Sequence, residues 1–316
     1  MIEKSRSASS ALATIAILGQ PPRQRVGVIG ASSFVGEPLL ARLSNQDWQV
    51  TAFMRRKLDE LPARFPSIAW REVDLPQGDD PSQAIEDNIP VWFYLAPIWT
   101  LPDYFDFLAA QGARRIVALS STSVYTKGDS DDPGEREVAR SLAAGEERLR
   151  RWAQGSGVIW TVLRPTLIYG QGRDRNISEI AHIIQKFGFF PLLGKACGSR
   201  QPVHVEDVAE ACLAAFLSGK TGNRAYNIGG SEILTYREMV ARVFRAMDRA
   251  PRLLPVPEWI IQLGVTAIRT LPRYRYWTLG MAKRMNRDLV FDNSDAVCDF
   301  GYAPRPFRLT KSDLLG

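Results

Sequence analysis

A short apolar run that breaks into a turn of small residues constrains the fold of this chain more than any other segment. Residues 26–36 read VGVIGASSFVG, and a helix-like pattern, FVGEPLLARLS, overlaps the end of this run. A strand that ends in glycine, a tight turn and a helix place free backbone N–H groups and the positive end of the helix at one point. Such a point binds a pyrophosphate, so the segment predicts a dinucleotide-binding loop.

Three positions of this loop carry its chemistry. Gly30 permits the tight turn and Gly36 lets the helix lie close to the strand, since neither has a side chain to obstruct the backbone. Ser33 stands where the backbone must approach a phosphate; it is small, and its hydroxyl can donate to a phosphate oxygen. A purely structural turn is the alternative interpretation of a lone glycine loop. The residues predicted to contact the cofactor here are Gly30, Ser32, Ser33, Phe34, Val35 and Gly36.

Strand-like and helix-like runs alternate through the first half of the chain. Apolar, β-rich segments such as RVGVIG, WQVTAFM, VWFYLAP, RIVALSS and VIWTVLRP are separated by amphipathic stretches, including a helix predicted over residues 135–154. This alternation indicates parallel βαβ units with right-handed crossovers. The predicted fold class is therefore α/β, a Rossmann-type doubly wound parallel sheet with a smaller C-terminal substrate lobe.

The pattern changes after Pro165, and this change sets the predicted domain boundaries. Residues 1–24 are predicted to be a loose N-terminal extension, and residues 25–170 the dinucleotide-binding domain, to which a strand–helix unit at about 200–230 returns. Residues 171–316 are predicted to form mainly a lid or substrate lobe, because ligands of such sheets bind at the carboxyl ends of the strands.

The end of the second predicted strand indicates which dinucleotide binds. NAD-binding proteins place an acid there for the ribose 2′-hydroxyl, whereas NADP-binding proteins place arginine near the 2′-phosphate. This chain reads TAFMRRK, so Arg55 and Arg56 favour NADP(H) over NAD(H) through charge-assisted contacts. A solvated pair of arginines after a strand is the alternative. The ends of further strands add the other predicted cofactor contacts: Asp74, Leu75, Leu95, Ala96, Pro97, Ser120 and Pro165.

Composition excludes several other classes of protein. Three cysteines at wide, unrelated spacings and two histidines exclude a cysteine-rich zinc site, so no metal is predicted, and they argue against a disulfide scaffold. A reducing, cytoplasmic compartment fits this cysteine usage. The net charge of +6 comes from basic residues interleaved with acids along the whole chain, which is typical of a solvated surface rather than a nucleic-acid groove.

Eight short motifs, taken in order and spacing, resemble those of a known family. The chain is similar to the NAD-dependent epimerase/dehydratase family of extended short-chain dehydrogenases/reductases at GASSFVG, VDL, YLAP, LSSTSVY, LRPTLIYG, RQPVHVEDVA, AYNIGG and FGYAPRP. The resemblance covers most of residues 25–307 and implies a Rossmann domain with a C-terminal lobe that binds a nucleotide-sugar. It also implies a homodimer, because relatives often pair through two helices that include the 135–154 segment.

The resemblance implies a catalytic serine, tyrosine and lysine, of which this chain keeps only the serine. In the family a tyrosinate, with its pKa lowered by lysine, removes a hydroxyl proton as hydride moves to the nicotinamide. Ser121 matches the serine, four residues before Tyr125 in LSSTSVY. The helix pattern YxxSKxAxE corresponds here to VARSLAAGE, in which Val138 and Leu142 stand at the tyrosine and lysine positions. Neither side chain can carry a proton, so the usual base and its activator are both missing.

Two nearby groups are alternatives to the missing base. Tyr125 matches a structural position of the strand-end motif, and a role as replacement base is the other interpretation of it. The acids in DSDDPGERE are more typical of a solvated loop before a helix N-terminus than of a catalytic pair. Ser121 and Tyr125 are therefore the candidate catalytic residues.

The motif RQPVHVEDVA supplies a candidate substrate contact. Arg200 matches an arginine that clamps the nucleotide diphosphate in relatives, a role suited to a planar fork of donors. A salt bridge with Glu206 or Asp207 is the alternative. Asp207 is predicted to cap the following helix, and His204, inside an apolar strand, to be a satisfied core residue rather than a catalyst.

The loop GQGRDRNIS follows the sixth predicted strand, where the crevice should open. Arg173 and Asn176 are the candidate substrate-binding residues of this loop, with Arg175 between them. A mobile basic loop without a ligand contact is the alternative.

The segment PEWIIQLGVTAIRTLPRYRYWTLGMAKRM combines an apolar helical stretch with tryptophan, tyrosine and arginine. Such a combination is typical of helices at a membrane surface, so attachment to the inner face of a membrane is one hypothesis. Packing on the core, or association with a protein complex, is the alternative. No stretch reaches the roughly 20 apolar residues that a spanning helix needs.

Two functions agree with these observations, and whether the protein is an enzyme stays open. The first is an NADP(H)-binding epimerase/dehydratase-like protein, catalytically atypical or without redox turnover, similar to atypical short-chain dehydrogenase-like proteins and to the nucleotide-binding accessory subunit of respiratory complex I. The second is an active NADP-dependent oxidoreductase, epimerase or dehydratase on a nucleotide- or lipid-linked sugar, using Ser121 and a nonstandard base. Val138 and Leu142 favour the first function, whereas Ser121 and Arg200 favour the second.

Overall fold

The structure of the protein is a computed structural model that describes residues 24–55, 60–73, 88–174, 176–260 and 279–314. Its first half contains β1 (Arg25–Ile29), α1 (Gly36–Ser44), β2 (Gln49–Met54), α2 (Glu60–Arg64), β3 (Ala69–Glu72), β4 (Val91–Tyr94), a 3₁₀ helix (Ile98–Tyr104), α3 (Phe105–Ala110), β5 (Arg115–Leu119), α4 (Ser123–Thr126), α5 (Pro133–Ser156) and β6 (Ile159–Pro165). Its second half contains β7 (Ile168–Tyr169), α6 (Ile177–Phe187), β8 (Phe190–Leu193), β9 (Ser199–Arg200), β10 (Val203–His204), α7 (Val205–Leu217), β11 (Arg224–Ile228), β12 (Leu234–Thr235), α8 (Tyr236–Ala246), β13 (Leu253–Val256), α9 (Leu279–Lys283), a 3₁₀ helix (Arg284–Asn286), α10 (Ser294–Phe300) and a 3₁₀ helix (Lys311–Asp313).

Seven of these strands form one sheet in the order β11-β6-β5-β4-β1-β2-β3, and every neighbouring pair is parallel. The order reverses direction between β1 and β4, which is where a doubly wound sheet opens a crevice at the carboxyl ends of its strands. The predicted α/β fold class is confirmed. Of the range 200–230, predicted to return to the first domain, β11 lies at the edge of this sheet beside β6, whereas β10 pairs with β7 outside it. The return of the whole strand–helix unit stays a prediction.

Residues of the central strands alternate between the two faces of the sheet, and helices cover both faces. In β4, Phe93 belongs to the apolar cluster under α1 and α7, whereas Trp92 and Tyr94 belong to the cluster under α3 and α5. All four residues of β4 are buried. A parallel strand covered on both faces reads as a continuous apolar run, which explains the sequence VWFY.

Helix α5 has clear start and stop signals. The carboxylate of Asp132 accepts hydrogen bonds from the backbone N–H groups of Gly134 and Glu135, and Pro133 occupies the first turn. Gly157 ends the helix in the left-handed region with φ of 69°. The prediction of a helix over residues 135–154 is confirmed, and the observed helix extends two residues further at each end.

The second half of the chain adds a smaller lobe with its own apolar cluster. Buried side chains of α6, β8 and α8 form this cluster, including Ile180, Leu192 and Phe244. Strand β13 pairs with β8 in parallel, outside the large sheet. The division of the chain at residue 170 stays a prediction. Within the described ranges, no helix is long and apolar enough to cross a membrane.

Candidate functional site

The loop between β1 and α1 has the geometry that its two glycines predict. Gly30 has φ of 81°, which side chains rarely adopt, and a Cβ atom there would lie 2.7 Å from the backbone nitrogen of Ala96. A Cβ atom on Gly36 would collide with the carbonyl oxygen of Ala31. The loop therefore packs directly against the segment after β4, and α1 begins at Gly36 with its first N–H groups at this point.

Ser33 is the residue of the loop whose surroundings indicate a ligand. Its backbone N–H donates to the carbonyl of Gly30 at 2.9 Å, and its own carbonyl accepts from the N–H of Gly36 at 3.0 Å. Its Oγ is buried and has no hydrogen-bond partner among the residues that the structure describes. A buried hydroxyl without a partner costs about 1–3 kcal/mol, and a phosphate oxygen at this position would remove that cost. The loop residues thus fit the pyrophosphate of a dinucleotide, the role predicted for Ser33.

The other predicted loop contacts lie around this point. Ser32 is exposed, Phe34 is half-buried against the core, and Val35 is buried as the residue that precedes α1. On the neighbouring strand, Leu95 donates its N–H to the carbonyl of Ile29 at 2.9 Å, which holds residues 95–97 beside the loop. The predicted cofactor contacts Leu95, Ala96 and Pro97 are therefore adjacent to the loop.

Arg55 directly follows β2 and is exposed. Burial raises the pKa of the Tyr94 hydroxyl at the end of β4, and the positive charge of Arg55 acts on it in the opposite direction. Arg55 therefore lies near the carboxyl ends of β2 and β4, on the rim of the crevice. Arg56, Asp74 and Leu75, the remaining predicted cofactor contacts on this side, lie outside the described residues, and the preference for NADP(H) stays a prediction.

Apolar packing fills the two positions at which the family pattern has tyrosine and lysine. Leu142 is 3% exposed and belongs to the cluster that includes Ile98 and Leu101, and Val138 packs against the same cluster. Helix α5 lies close to the 3₁₀ helix here, since a Cβ atom on Gly145 would lie 2.8 Å from the Ile98 carbonyl oxygen. Leu142 is thus part of the core, and Val138 is partly buried at the edge of the same cluster.

The two candidate catalytic residues follow β5. Ser121 Oγ accepts a hydrogen bond from the backbone N–H of Ser123 at 3.1 Å. Tyr125 is 51% exposed, and its hydroxyl accepts a hydrogen bond from Nη1 of Arg164. The Arg164 guanidinium carbon lies 5.2 Å from the centre of the Tyr125 ring, and this ring stacks on Phe291 with centres 5.7 Å apart. Tyr125 is thus held by a cation and still presents half of its surface to solvent.

An ion pair between Glu146 and Arg164 anchors this tyrosine. This ion pair was not predicted from the sequence. Nε of Arg164 donates to the two carboxylate oxygens at 3.0 and 3.2 Å, and Nη2 donates as well. The Ser120 hydroxyl donates to the same carboxylate. Burial alone lowers the pKa of Arg164, but the hydrogen bonds and charge of Glu146 raise it above its usual value. The network therefore joins the ends of β5 and β6, with Pro165 closing β6. The feature of the sequence that could have indicated this ion pair is Glu146, the last residue of VARSLAAGE.

Arg200 has a different environment from the one predicted. It is 4% exposed, and its Nη1 donates to the carbonyls of Ser199 and Arg287, each at 2.8 Å. Nη2 donates to the carbonyl of Arg284, and the guanidinium carbon lies 5.2 Å from the centre of the Tyr236 ring. Burial lowers the pKa of Arg200 to about 10. These donors hold two segments of the lobe together, and a contact with substrate stays a prediction.

The predicted alternative partners of Arg200 have other partners, and the predicted helix cap is wrong. Glu206 pairs with Arg42 at 2.7 Å, and Asp207 accepts from the backbone and Nε of Arg305. His204 caps α7, because its Nδ1 accepts from the N–H of Glu206 at 3.2 Å.

His204 is a satisfied core residue, as predicted. It is 8% exposed, and its Nε2 lies 3.2 Å from Oδ1 of Asp313. Asp313 also accepts hydrogen bonds from Thr310 and from the backbone N–H of Gln171. The pair thus fastens the last described segment to the lobe.

The loop after β7 makes contacts to both parts of the molecule. Nη1 of Arg173 lies 3.0 Å from a carboxylate oxygen of Glu37, in the first turn of α1. Asn176 is exposed and donates its N–H to Asp174 at 2.7 Å. Arg175 lies outside the described residues. Substrate contacts by Arg173 and Asn176 stay predictions, but Arg173 does connect this loop to the helix at the dinucleotide loop.

In the described ranges, no group of three or more histidine, cysteine, aspartate or glutamate side chains is placed to hold a metal ion.

Comparisons with known proteins agree with this geometry. The model of the NAD dependent epimerase/dehydratase family matches residues 103–229. The chain is 27% identical over 327 residues to an uncharacterized protein of Sinorhizobium fredii, covering 95% of this chain and 79% of that protein. It is 32% identical over 182 residues to subunit 9 of the NADH dehydrogenase (ubiquinone) 1 alpha subcomplex, mitochondrial, of Arabidopsis thaliana, covering 54% of this chain and less than half (44%) of that subunit.

A solved structure shows the same fold. The UDP-glucuronic acid 4-epimerase of Bacillus cereus, in complex with UDP-glucuronic acid and NAD, superposes with a TM-score of 0.67 at 14% identity, covering 92% of this chain and 96% of that one.

Proposed function

Because this chain is a relative of the NAD-dependent epimerase/dehydratase family, with a Rossmann-type fold, we propose that it binds a nicotinamide dinucleotide and does not use the family's tyrosine–lysine chemistry. We further propose NADP(H) in preference to NAD(H), held as a ligand without redox turnover. The observation that carries the proposal is the burial of Leu142 in the apolar core, against which the partly buried Val138 packs.

Binding of the dinucleotide is supported by the loop after β1. Gly30 and Gly36 let the backbone of the loop pack so closely on Ala96 and Ala31 that a Cβ atom would collide, and the buried Ser33 hydroxyl has no partner among the described residues. The Ser33 hydroxyl and the positive end of α1 suit the negative charge of a pyrophosphate. Arg55 at the rim suits a 2′-phosphate.

Loss of the usual chemistry is supported by what replaces it. A bound nicotinamide supplies hydride transfer only where a neighbouring group moves the hydroxyl proton. The leucine at position 142 carries no charge, so it cannot lower the pKa of a neighbouring base as a lysine would. Val138 has no group that accepts a proton. A ligand that binds only the folded chain still stabilises it by mass action, which is a function that needs no turnover.

A second candidate function is favoured by one observation, the contact of Arg164 with the hydroxyl of Tyr125. In an active oxidoreductase, epimerase or dehydratase, Ser121 would hold the reacting oxygen and Tyr125 would exchange its proton. The substrate class is a nucleotide- or lipid-linked sugar, with Arg173, Asn176 and Arg200 as the predicted contacts. The nucleotide-sugar bound by the Bacillus cereus epimerase supports this class by analogy of fold alone.

Further predictions about location and assembly stay untested. These are the cytoplasm, attachment to the inner face of a membrane or to a protein complex through the C-terminal region, and a homodimer. Residues 261–278, the centre of the segment predicted to attach, lie outside the described residues.

A titration tests the cofactor proposal. Quenching of tryptophan fluorescence by NADPH and by NADH gives two dissociation constants, and we expect the value for NADPH to be lower. Arg55→Ala is expected to weaken NADPH about tenfold and NADH little, since a charge-assisted contact contributes about 1.5–3 kcal/mol at best. Arg140→Ala, on the outer side of α5, is the matched control. Equal weakening of both dinucleotides by Arg55→Ala would contradict the assignment to the 2′-phosphate.

Turnover separates the two candidate functions. The fluorescence of bound NADPH is followed after addition of candidate nucleotide-sugars, with the wild type, Ser121→Ala and Tyr125→Phe. No oxidation by any of the three agrees with the proposed function. Oxidation that survives in Ser121→Ala and is lost in Tyr125→Phe would establish Tyr125 as the base and refute it.

A further inference from the structure

Two short strands of the lobe form a ribbon with one covered and one uncovered face. Strands β8 and β13 pair in parallel, with Phe190 beside Leu253 and Pro191 beside Leu254. Phe190 and Leu192 are 4% and 0% exposed within the lobe cluster. Because side chains alternate along a strand, Pro191 lies on the opposite face, and its partner Leu254 is 47% exposed.

The uncovered face continues beyond the ribbon at both ends. Phe187 and Phe189, at the end of α6, are 49% and 37% exposed, and their ring centres lie 6.2 Å apart. After β13, Trp259 is 63% exposed. A groove of about 350 Å³ lies at the carboxyl ends of the two strands, lined by Leu193, Gly194 and residues 255–258. We call this surface the lobe face and define it by Phe187, Phe189, Leu193, Leu254 and Trp259.

Basic side chains without acidic partners surround the lobe face. Lys186, Lys195 and Arg252 are exposed, and none of them forms an ion pair within the described part of the chain. The acid of this region, Glu258, is already paired with Lys283 at 3.4 Å. The rim is therefore positively charged, with Lys186 Nζ 5.3 Å from the centre of the Phe187 ring, and the described residues do not compensate this charge with acids.

We propose that the lobe face docks on the surface of a bilayer that contains anionic lipid. Clustered large apolar side chains on a soluble domain mark an interaction site, and a tryptophan and two phenylalanines among cations match the boundary between headgroups and acyl chains. The uncompensated Lys186, Lys195 and Arg252 match the negative potential of such a surface. The site is distinct from the dinucleotide loop. The residues of the lobe face between 186 and 195 were not predicted from the sequence to form an interaction surface.

Flotation with vesicles tests the proposal on the full-length chain. Vesicles of phosphatidylcholine alone are compared with vesicles that also contain phosphatidylglycerol, and the fraction of floated protein is measured. We expect flotation with the anionic vesicles, at least tenfold weaker for Phe187→Ser with Phe189→Ser, because two aromatic groups then leave the interface. Lys186→Gln with Arg252→Gln should weaken it about fivefold for each charge removed.

Matched controls keep the result specific. Leu217→Ser with Ile233→Ser removes two apolar side chains, each 61% exposed, that lie outside the lobe face, and it should float like the wild type. NADPH titration of every variant shows whether the fold and the dinucleotide site are intact, so a failure here is distinguishable from a failure of the proposed function.

Three outcomes would overturn the proposal. The wild type does not float with either vesicle; it floats equally with neutral vesicles; or the control pair weakens flotation as much as Phe187→Ser with Phe189→Ser. If the wild type fails to float but forms a dimer that the phenylalanine variants lose in sedimentation, the lobe face is an interface between copies of this chain and not a lipid site.

Discussion

The substitution Leu142→Lys tests whether position 142, which corresponds to the lysine of the family pattern, belongs to the apolar core. Leu142 is 3% exposed and is surrounded by apolar side chains of the 3₁₀ helix and α3. The side chains of this cluster are apolar, and the carboxylate one turn away on the same helix, Glu146, is already paired with Arg164. An ammonium group at position 142 therefore lacks a counter-ion of its own, so the folded chain must bury it neutral or open locally.

The cost follows from the pKa of lysine. If the folded chain holds the amine neutral at pH 7, deprotonation from its usual pKa near 10.4 costs about 4.6 kcal/mol, at about 1.36 kcal/mol per unit. The folded pKa then lies below the unfolded one, so the unfolded state binds more protons between the two values and stability rises with pH in that window. Between pH 7 and pH 9 the variant should recover about 2.7 kcal/mol relative to the wild type.

Urea unfolding followed by tryptophan fluorescence measures both numbers. Ala143→Lys, one residue along the same helix and exposed, is the matched control and should change the free energy of unfolding by less than about 0.5 kcal/mol. If Leu142→Lys is as stable as Ala143→Lys at both pH values, position 142 faces solvent or the crevice and the reasoning is wrong. Oxidation of NADPH by Val138→Tyr with Leu142→Lys would refute it as well.

Three further predictions concern single groups. Ser33→Ala should weaken NADPH about tenfold in the fluorescence titration, because one donor to a charged oxygen contributes about 1.5–3 kcal/mol, and unchanged affinity would remove Ser33 from the site. Glu146→Gln leaves the half-buried Arg164 without its counter-ion and should lower the free energy of unfolding by about 2–4 kcal/mol in urea, whereas a loss below 0.5 kcal/mol, about that of a surface pair, would contradict a buried role. Although burial raises the pKa of Asp313, hydrogen bonds led by that of His204 hold it well below its usual range. The stability it contributes is complete above about pH 4 and is lost as pH falls further, so Asp313→Asn should flatten the acid limb of a stability–pH curve.

Local pattern predicted the parts of the fold that depend on neighbours in sequence. The apolar run VWFY predicted β4 because a parallel strand is buried on both faces, and Gly30 and Gly36 predicted the loop because a tight turn and close packing exclude side chains. Helix α5 followed from its own periodicity and caps. The sequence shows that Val138 and Leu142 differ from the tyrosine and lysine of the family pattern, but it does not show how far each side chain is buried.

Contacts between residues that are distant in sequence determine the features that the local sequence pattern did not predict. Asp207 satisfies the rule for a helix cap, yet Arg305, 98 residues later, takes its carboxylate, and His204 caps the helix instead. Besides the neighbouring Ser199, the donors of Arg200 reach two carbonyls more than 80 residues away, those of Arg284 and Arg287. Glu146 and Arg164 stand 18 residues apart, on a helix and a strand whose contact depends on the sheet.

The hydrocarbon at position 142 also has a consequence for redesign. Installing a tyrosine–lysine pair at positions 138 and 142 requires two substitutions, and neither is expected to act alone: Leu142→Lys puts an amine into the apolar cluster, and Val138→Tyr has no cation to activate it. The two positions lie one turn apart on α5, so the effect of the pair is not expected to be the sum of the two single effects. Grafting the family's chemistry onto this chain therefore requires that the side chains packed on Leu142 are substituted first, to make room for the amine.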